Sequence, residues 1–222
     1  MEKSDYINIE KIKDKKLYDP DKKEEIEFES LYKTLSSDQL LYVVFFRRWG
    51  WVFCKAGALE LSKTFEKVNK EYPGRLRFVG VGVEELGYDE FKKQGYFKNE
   101  LYVNRGKTIY KALNFQRPGC LTCWGFCKKD VFKRYKEIET KFSEKKLKTD
   151  MNAKSDQLQM GGSIMITPLG SIVFQHQDSY YGDHAREEAI MEVINSYFGN
   201  EILGNNRSFK RDTEVMDILP RK

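Results

Sequence analysis

Apolar residues along this chain fall into runs with different periods, and the periods predict its elements. The longest unbroken run, Leu40 to Phe46 (LLYVVFF), has no polar interruption, as expected of a central strand covered on both faces. After Cys54, apolar or small positions recur at Ala58, Leu61, Phe65, Val68 and Tyr72, the stripe of an amphipathic helix that Pro73-Gly74 ends. RLRFVGVGV, residues 75–83, reads as a second central strand, so strand, helix and strand form a βαβ unit with a parallel pair.

Shorter patterns fill in the remainder. Residues 8–28 alternate around the turn chemistry of DPD at 19–21, which predicts a two-stranded opening, and ESLYKTL predicts a short helix after it. Residues 84–94 suit a short helix, ELYVN at 100–104 a strand, and GKTIYKALNF at 106–115 another helix. GGSIMITPLGSIVFQHQ, 161–177, is a hairpin with Pro168 and Gly170 in its turn. REEAIMEVINSYFG is a last helix, with Ala189, Ile190, Val193, Ile194 and Tyr197 as its buried face and Asp183 favouring its start. The predicted class is α/β: a mixed central sheet on the thioredoxin plan, with an N-terminal β extension and a basic helical insertion at 116–160 before the C-terminal hairpin. Residues 1–199 are expected to form one domain and 200–222 a flexible tail.

Composition narrows the function classes. The chain has 222 residues and a net charge of +5, too modest to argue for a nucleic-acid partner. That excess is local, because residues 116–150 hold ten Lys or Arg against five acids. Such a stretch reads as a solvated helix face, or as a patch for anionic substrates or lipid headgroups. The second reading makes the insertion helix, with Trp124, Cys127, Val131 and Ile138 on one side, a peripheral membrane contact. The longest apolar run is too short to span a bilayer and the N-terminus lacks the apolar segment of a secretory signal, so a cytoplasmic location is expected, with reduced thiols.

Candidate chemistry centres on Cys54, where strand gives way to helix. A helix N-terminus and a nearby cation both lower a thiol's pKa, and Arg47, Arg48 and Lys55 are close in sequence. Since Arg47 and Arg48 alternate along a strand, one of them is expected to share the thiol's side. The simpler reading is a small buried residue packing CKAGA against the sheet. Cys120, Cys123 and Cys127 lie on one face of a predicted helix, as a packed apolar stripe or as candidate resolving thiols; they make an incomplete metal set, and no metal is expected. Gly80-Val81-Gly82 lacks the third glycine of a dinucleotide fingerprint. His176 reads as a structural histidine, and Gly161-Gly162 as a pocket wall that allows close approach.

Several separated blocks carry a family resemblance: KEEIEFESLY, RRWGWVFCKAGALELS, VGVGVEELGYDEF, GYFKNELYVNRGKTIYKALNF, QMGGSIMI and YYGDH. In order and spacing they resemble the peroxiredoxin-like 2 family, in its prostamide/prostaglandin F synthase branch, from about Asn8 to Tyr197. The resemblance implies a thioredoxin-like fold and a thiol-dependent reductase of a lipid peroxide or endoperoxide. It also implies NADPH as electron source and an external thiol reductant such as thioredoxin or glutathione. That branch carries C-x-x-C in the strand-to-helix loop, whereas this chain keeps the second cysteine as Cys54 and has Trp51 at the first position, with Arg47, Arg48 and Gly50 completing the loop. Peroxiredoxins, for their part, have threonine and proline where Trp51 and Arg47 stand here. The alternative is therefore a thioredoxin-fold binding or redox-regulatory protein whose catalytic pair is impaired.

Overall fold

The computed structural model describes residues 8–117, 129–150, 156 and 158–203. A 3-10 turn at Ile9–Lys11 leads into an antiparallel hairpin, β1 (Lys16–Asp19) and β2 (Glu24–Glu27). The Asp19 carboxylate accepts from the Asp21 and Lys22 amides at 3.0 and 3.2 Å, which fixes the turn that DPD predicts. Helix α1 (Glu29–Lys33) follows, then β3 (Leu40–Phe45), α2 (Val52–Glu71) and β4 (Leu76–Gly82), the predicted parallel βαβ unit. Next come α3 (Tyr88–Lys93), β5 (Glu100–Val103), α4 (Thr108–Ala112), α5 (Lys129–Lys141), β6 (Gly162–Ile166), β7 (Ile172–Gln177) and α6 (Glu187–Leu203). Among the described residues no helix is long and apolar enough to cross a membrane.

The seven strands form one mixed sheet in the order β2-β1-β5-β4-β3-β6-β7. β3, β4 and β5 are parallel; β6 runs antiparallel to β3 with Phe45 opposite Gly162. Every residue of β3 is buried, as its unbroken apolar run requires. On one face Leu41, Val43 and Phe45 join Leu31, Ile109, Tyr110 and Phe115 in the main core. On the other, Tyr42 packs on Phe78, which stacks with Phe65 of α2 at 5.3 Å. Gly170 closes the β6–β7 hairpin at φ +83°, a conformation that suits glycine.

Two expectations need correction. Helix α2 begins at Val52, ahead of Cys54, because Trp51 already has the extended N-cap conformation (φ −89°, ψ 136°). Asp183 does not start the last helix; its carboxylate accepts from the Ser179 amide and hydroxyl at 2.9 and 2.6 Å, so it is spent on the preceding loop. Backbone contacts divide the chain into units Met1–Ala185 and Arg186–Lys222. Within the second, α6 runs through Leu203, into the stretch expected as tail, and its buried positions are Ile190, Met191, Ile194 and Phe198.

Candidate active site

The parallel arrangement of β3 and β4 brings the end of β3 and the first turn of α2 to one edge of the sheet, where α/β folds place their chemistry. Cys54 is the third residue of α2, and its side chain is fully buried. A helix N-terminus stabilises an anion by about 0.3–1 kcal/mol. The Arg47 guanidinium and the backbone of Arg48 and Arg47 also draw the thiol pKa down, but burial outweighs them and the net direction is up. The sequence expectation of an acidic thiol is therefore corrected: in this conformation Cys54 is a neutral, covered thiol.

The buried side chains around the start of α2 are aromatic and cationic. Arg47, 1% exposed, lies with its Cζ 3.9 Å from the Trp51 ring centroid and 4.0 Å from that of Tyr181, a cation flanked by two adjoining rings. The two rings are themselves 4.8 Å apart. Its Nε donates to the Gln159 carbonyl at 2.6 Å, and burial lowers its pKa to about 10, still charged at neutral pH. Arg48 turns the other way and donates to the Asp150 carbonyl at 2.5 Å. So one of the two arginines does share the thiol's side, and it is Arg47.

The insertion reaches the loop as well. The Asp150 amide donates to the Gly50 carbonyl at 2.8 Å, and the Thr149 hydroxyl accepts from the Val52 amide at 3.2 Å, satisfying a helix N-terminal donor that Trp51 has no side-chain oxygen to cap. Lys55 bonds Asp150 and the Lys148 carbonyl at 2.9 and 3.0 Å, which takes its charge away from the thiol. Helix α5 is tied to α2 through Glu60, which pairs with Arg134 and Lys141. Val131 and Ile138 are buried, so this part of the proposed membrane-facing stripe is used inside the protein; Trp124 and Cys127 lie outside the described residues.

A second polar cluster stands behind the thiol. Asp178, just past β7 and 2% exposed, has both carboxylate oxygens without a hydrogen-bond partner among the described residues. His184 Nδ1 is 3.7 Å from its Oδ2, and His176 Nε2 is 3.6 Å from its Oδ1. The other His184 nitrogen, Nε2, meets the Phe53 carbonyl at 3.1 Å, next to Cys54. Gly57 makes room for that ring, since a Cβ there would come within 2.1 Å of His184 Cδ2. The small residues of CKAGA thus seat an imidazole against α2. Burial pushes the Asp178 pKa up, helped by Asp183 and opposed by Arg47, and burial brings His184 down to about 4.

With this geometry in view, the chain's relatives are informative. A family model described as AhpC/TSA antioxidant enzyme matches residues 60–179. The chain is 32% identical over 173 residues to prostamide/prostaglandin F synthase of Salmo salar, covering 77% of this chain and 80% of that one. It is 30% identical to the Homo sapiens protein of the same name, covering 77% and 81%. The chain belongs to the AhpC/TSA antioxidant enzyme family. Xanthomonas campestris peroxiredoxin Q shares its fold, with a TM-score of 0.53 at 11% identity, over 88% of this chain and 99% of that one. This is a thioredoxin-like fold in a peroxiredoxin-like oxidoreductase family. The family match begins after Cys54, so the case for that thiol rests on the structure.

The remaining predicted positions divide sharply for this family member. Gly161 and Gly162 are buried, and added Cβ atoms would meet the Phe45 carbonyl at 2.1 Å and the His176 carbonyl at 2.4 Å. They let β6 and its neighbours approach, which is the physical reason they are strand contacts and not an open pocket wall. His176 bonds the Asp183 carbonyl at 2.8 Å, a structural tie, yet also faces Asp178. Cys120, Cys123 and Cys127 lie outside the described residues. A cleft of about 340 Å³ is lined by Gly106, Lys107, Lys111, Phe115, Arg117 and Gln159, the last of which carries the carbonyl that holds Arg47.

Sequence reasoning missed Asp178, Tyr181, His184 and the Lys148–Asp150 strap. The signal for Tyr181 and His184 was present in YYGDH, and a lone acid just after the strand IVFQHQ marked Asp178. Their convergence on the first turn of α2 is a property of sheet order, because β6 carries β7 and its following loop past the end of β3.

Proposed function

We propose that this protein is a thiol-dependent reductase of a lipid peroxide or endoperoxide, with Cys54 as the attacking thiol. The observation that carries this reading is the position of Cys54 in the first turn of α2 beside the Arg47 guanidinium, in a member of an antioxidant enzyme family. The relatives named prostamide/prostaglandin F synthase supply the substrate class. Lys107, Lys111 and Arg117 give the adjoining cleft a basic lining that suits an acidic lipid. Lys107 and Arg117 share Asp156 as counterion, so two cationic groups meet one acid there before Lys111 is counted.

In the proposed step the Trp51–Tyr181 cover parts, and the Cys54 thiolate attacks one peroxide oxygen. A sulfur–oxygen bond forms as the oxygen–oxygen bond breaks: a hydroperoxide gives a sulfenic acid and, once protonated, an alcohol or water, while an endoperoxide gives a sulfenate ester from which a second thiol displaces the diol. An external thiol such as thioredoxin or glutathione then reduces the sulfenic acid, since Trp51 stands where a neighbouring cysteine would resolve it. NADPH is the ultimate electron source in this reading. The one glycine-rich strand does not fit it as a direct site: Cβ atoms at Gly80 and Gly82 would strike Phe46 and Trp49, so those glycines accommodate packed rings and not a phosphate. No step here passes through the nucleotide.

Turnover of hydrogen peroxide, an alkyl hydroperoxide and a prostaglandin endoperoxide with a thiol reductant tests the reading. Cys54→Ser should abolish it with the fold retained, and unchanged turnover would remove Cys54 from the mechanism. One observation favours a second reading, a thioredoxin-fold binding protein: Trp51 and Cys54 are both buried, at 5% and 0% exposure, where an active thiol would be open. That reading predicts no turnover with any of the three substrates.

A further inference from the structure

The attacking thiol is only half of a peroxide cleavage, because the oxygen that leaves is a strong base and needs a proton. We propose that Asp178 is the proton donor to that leaving oxygen, a catalytic residue that deepens the function proposed above and rests on it. Three observations support the assignment. Asp178 is buried with neither carboxylate oxygen hydrogen-bonded among the described residues, an arrangement costly for a carboxylate and far less so for a carboxylic acid. It lies one imidazole ring from the first turn of α2, with His184 Nδ1 3.7 Å from its Oδ2 and His184 Nε2 3.1 Å from the carbonyl of Phe53, the residue before Cys54. Gly161 lies against it as well: a Cβ added there would be 3.2 Å from Asp178 Oδ2 and 2.1 Å from the carbonyl of Phe45, where β3 ends. A larger residue at 161 would occupy the gap between acid and strand end.

The neighbours favour a protonated acid. The His184 Nε2–H donates to the Phe53 carbonyl, which leaves Nδ1 as a lone pair facing Asp178. His176 is held by the Asp183 carbonyl. His176 from β7 and His184 from the loop beyond it approach the Asp178 carboxylate to 3.6 and 3.7 Å, while Arg47 from the β3–α2 loop, Cys54 from α2, Tyr42 from β3, Tyr110 from α4 and Asp183 act on it electrostatically. Burial and Asp183 raise the acid's pKa against the opposing pull of Arg47 and the Gly161 backbone, which favours the protonated form.

The step balances as follows. Cys54 loses its proton to solvent, and the thiolate attacks the terminal oxygen of a hydroperoxide. The sulfur–oxygen bond forms, the oxygen–oxygen bond breaks, and sulfur gives two electrons to the peroxide. Asp178 passes its proton to the departing alkoxide, which leaves as the alcohol. Solvent then reprotonates Asp178, so that thiol and hydroperoxide become sulfenic acid and alcohol with no net proton change.

The test separates proton donation from a structural role by choice of leaving group. tert-Butyl hydroperoxide expels a strongly basic alkoxide, whereas peracetic acid expels acetate, which needs no proton. Asp178→Asn keeps the shape and removes the acid. It should lower kcat/KM for tert-butyl hydroperoxide by about 100-fold or more, the range of general acid catalysis, and change that for peracetic acid by less than about threefold. Equal losses on the two substrates would overturn the proposal. As a measurement independent of the variant's folding, the wild-type chain should show a shallow dependence of kcat/KM on the basicity of the leaving oxygen across a series of hydroperoxides and peracids; a steep dependence would overturn it. Cys54→Ser run alongside keeps the two readings apart: peroxide turnover that survives this substitution refutes the function and this step together, while turnover lost with Cys54, joined to an Asp178→Asn loss that is equal on the two substrates, refutes the role of Asp178 alone.

Discussion

Replacing Trp51 with alanine should unseal Cys54 and raise its reactivity at a cost in stability. Trp51 is 5% exposed and packs on Arg47, Tyr181 and Phe53, with ring centroids 4.8 and 5.7 Å from those of Tyr181 and Phe53. A buried aromatic of this size covers roughly 150–250 Å², about 4–6 kcal/mol at about 25 cal/mol per Å². Measured aromatic-to-alanine truncations cost about 3–5 kcal/mol. The same truncation admits water to the thiol, removing the burial that raises its pKa while Arg47 and the backbone donors stay in place. Each unit of lowered pKa corresponds to about 1.4 kcal/mol and a tenfold larger thiolate fraction below the pKa. Iodoacetamide labelling at pH 7, followed by mass spectrometry in a chain whose Cys120, Cys123 and Cys127 are serine, should accelerate at least about tenfold. Wild type should label slowly at pH 6. A urea melt on the same samples distinguishes local opening from unfolding. If the variant remains folded and labels no faster than wild type, Trp51 is not the cover and the account of the site is wrong.

Three further outcomes can be checked. Trp51→Cys places a thiol at the N-cap of α2, one turn before Cys54, and the oxidised protein should show an intramolecular disulfide by mass spectrometry; its absence contradicts the placement of the loop. Tyr110→Phe removes a buried hydroxyl that donates to the Phe46 and Val81 carbonyls at 2.7 and 2.8 Å. Val81 keeps the Phe46 amide as a partner, so about 1–3 kcal/mol is expected from the Phe46 carbonyl, read as a lower urea midpoint at unchanged slope. For Glu60, burial raises the pKa but Arg134 and Lys141 outweigh it, and the folded value lies below the ordinary one. Its stabilisation is therefore present above the unfolded pKa near 4.3 and lost as pH falls through the folded value, so Glu60→Gln should flatten the acid limb of the stability profile; an unchanged limb contradicts the pairing.

Much of this arrangement was legible because the governing patterns are local. The apolar run of β3, the three-and-four spacing of α2 and the Pro-Gly stop give the βαβ unit, and the hairpin at 161–177 needs only its turn residues and alternation. Cys54 in the first turn of α2 follows from the same reading. What stayed hidden depends on distant segments meeting. No periodicity says that residues 148–150 cap α2 and neutralise Lys55, or that Asp178 and two histidines gather behind the thiol. The expected direction of the Cys54 pKa failed for the same reason: the helix end and the arginine are visible in sequence, while the burial that outweighs them comes from tertiary packing that no local pattern shows.

That burial has a consequence for how reactivity and access are related. In a loop with two cysteines the thiol can be acidic and exposed at rest, because its partner closes the cycle locally. Here Trp51 occupies the partner's place, and a sulfenic acid at Cys54 would wait for an external thiol. A thiol permanently exposed in that situation would be open to further oxidation, and an acidic one more so. The proposed reaction would tie the two properties together at Arg47. Burial raises the Cys54 pKa against the pull of that arginine, so a parting of Trp51 and Tyr181 that admitted water and a peroxide to the thiol would remove the desolvation and leave the arginine to favour the thiolate. In that reading opening and activation would be one motion, and the rate at which the aromatic pair separates would set an upper limit on turnover.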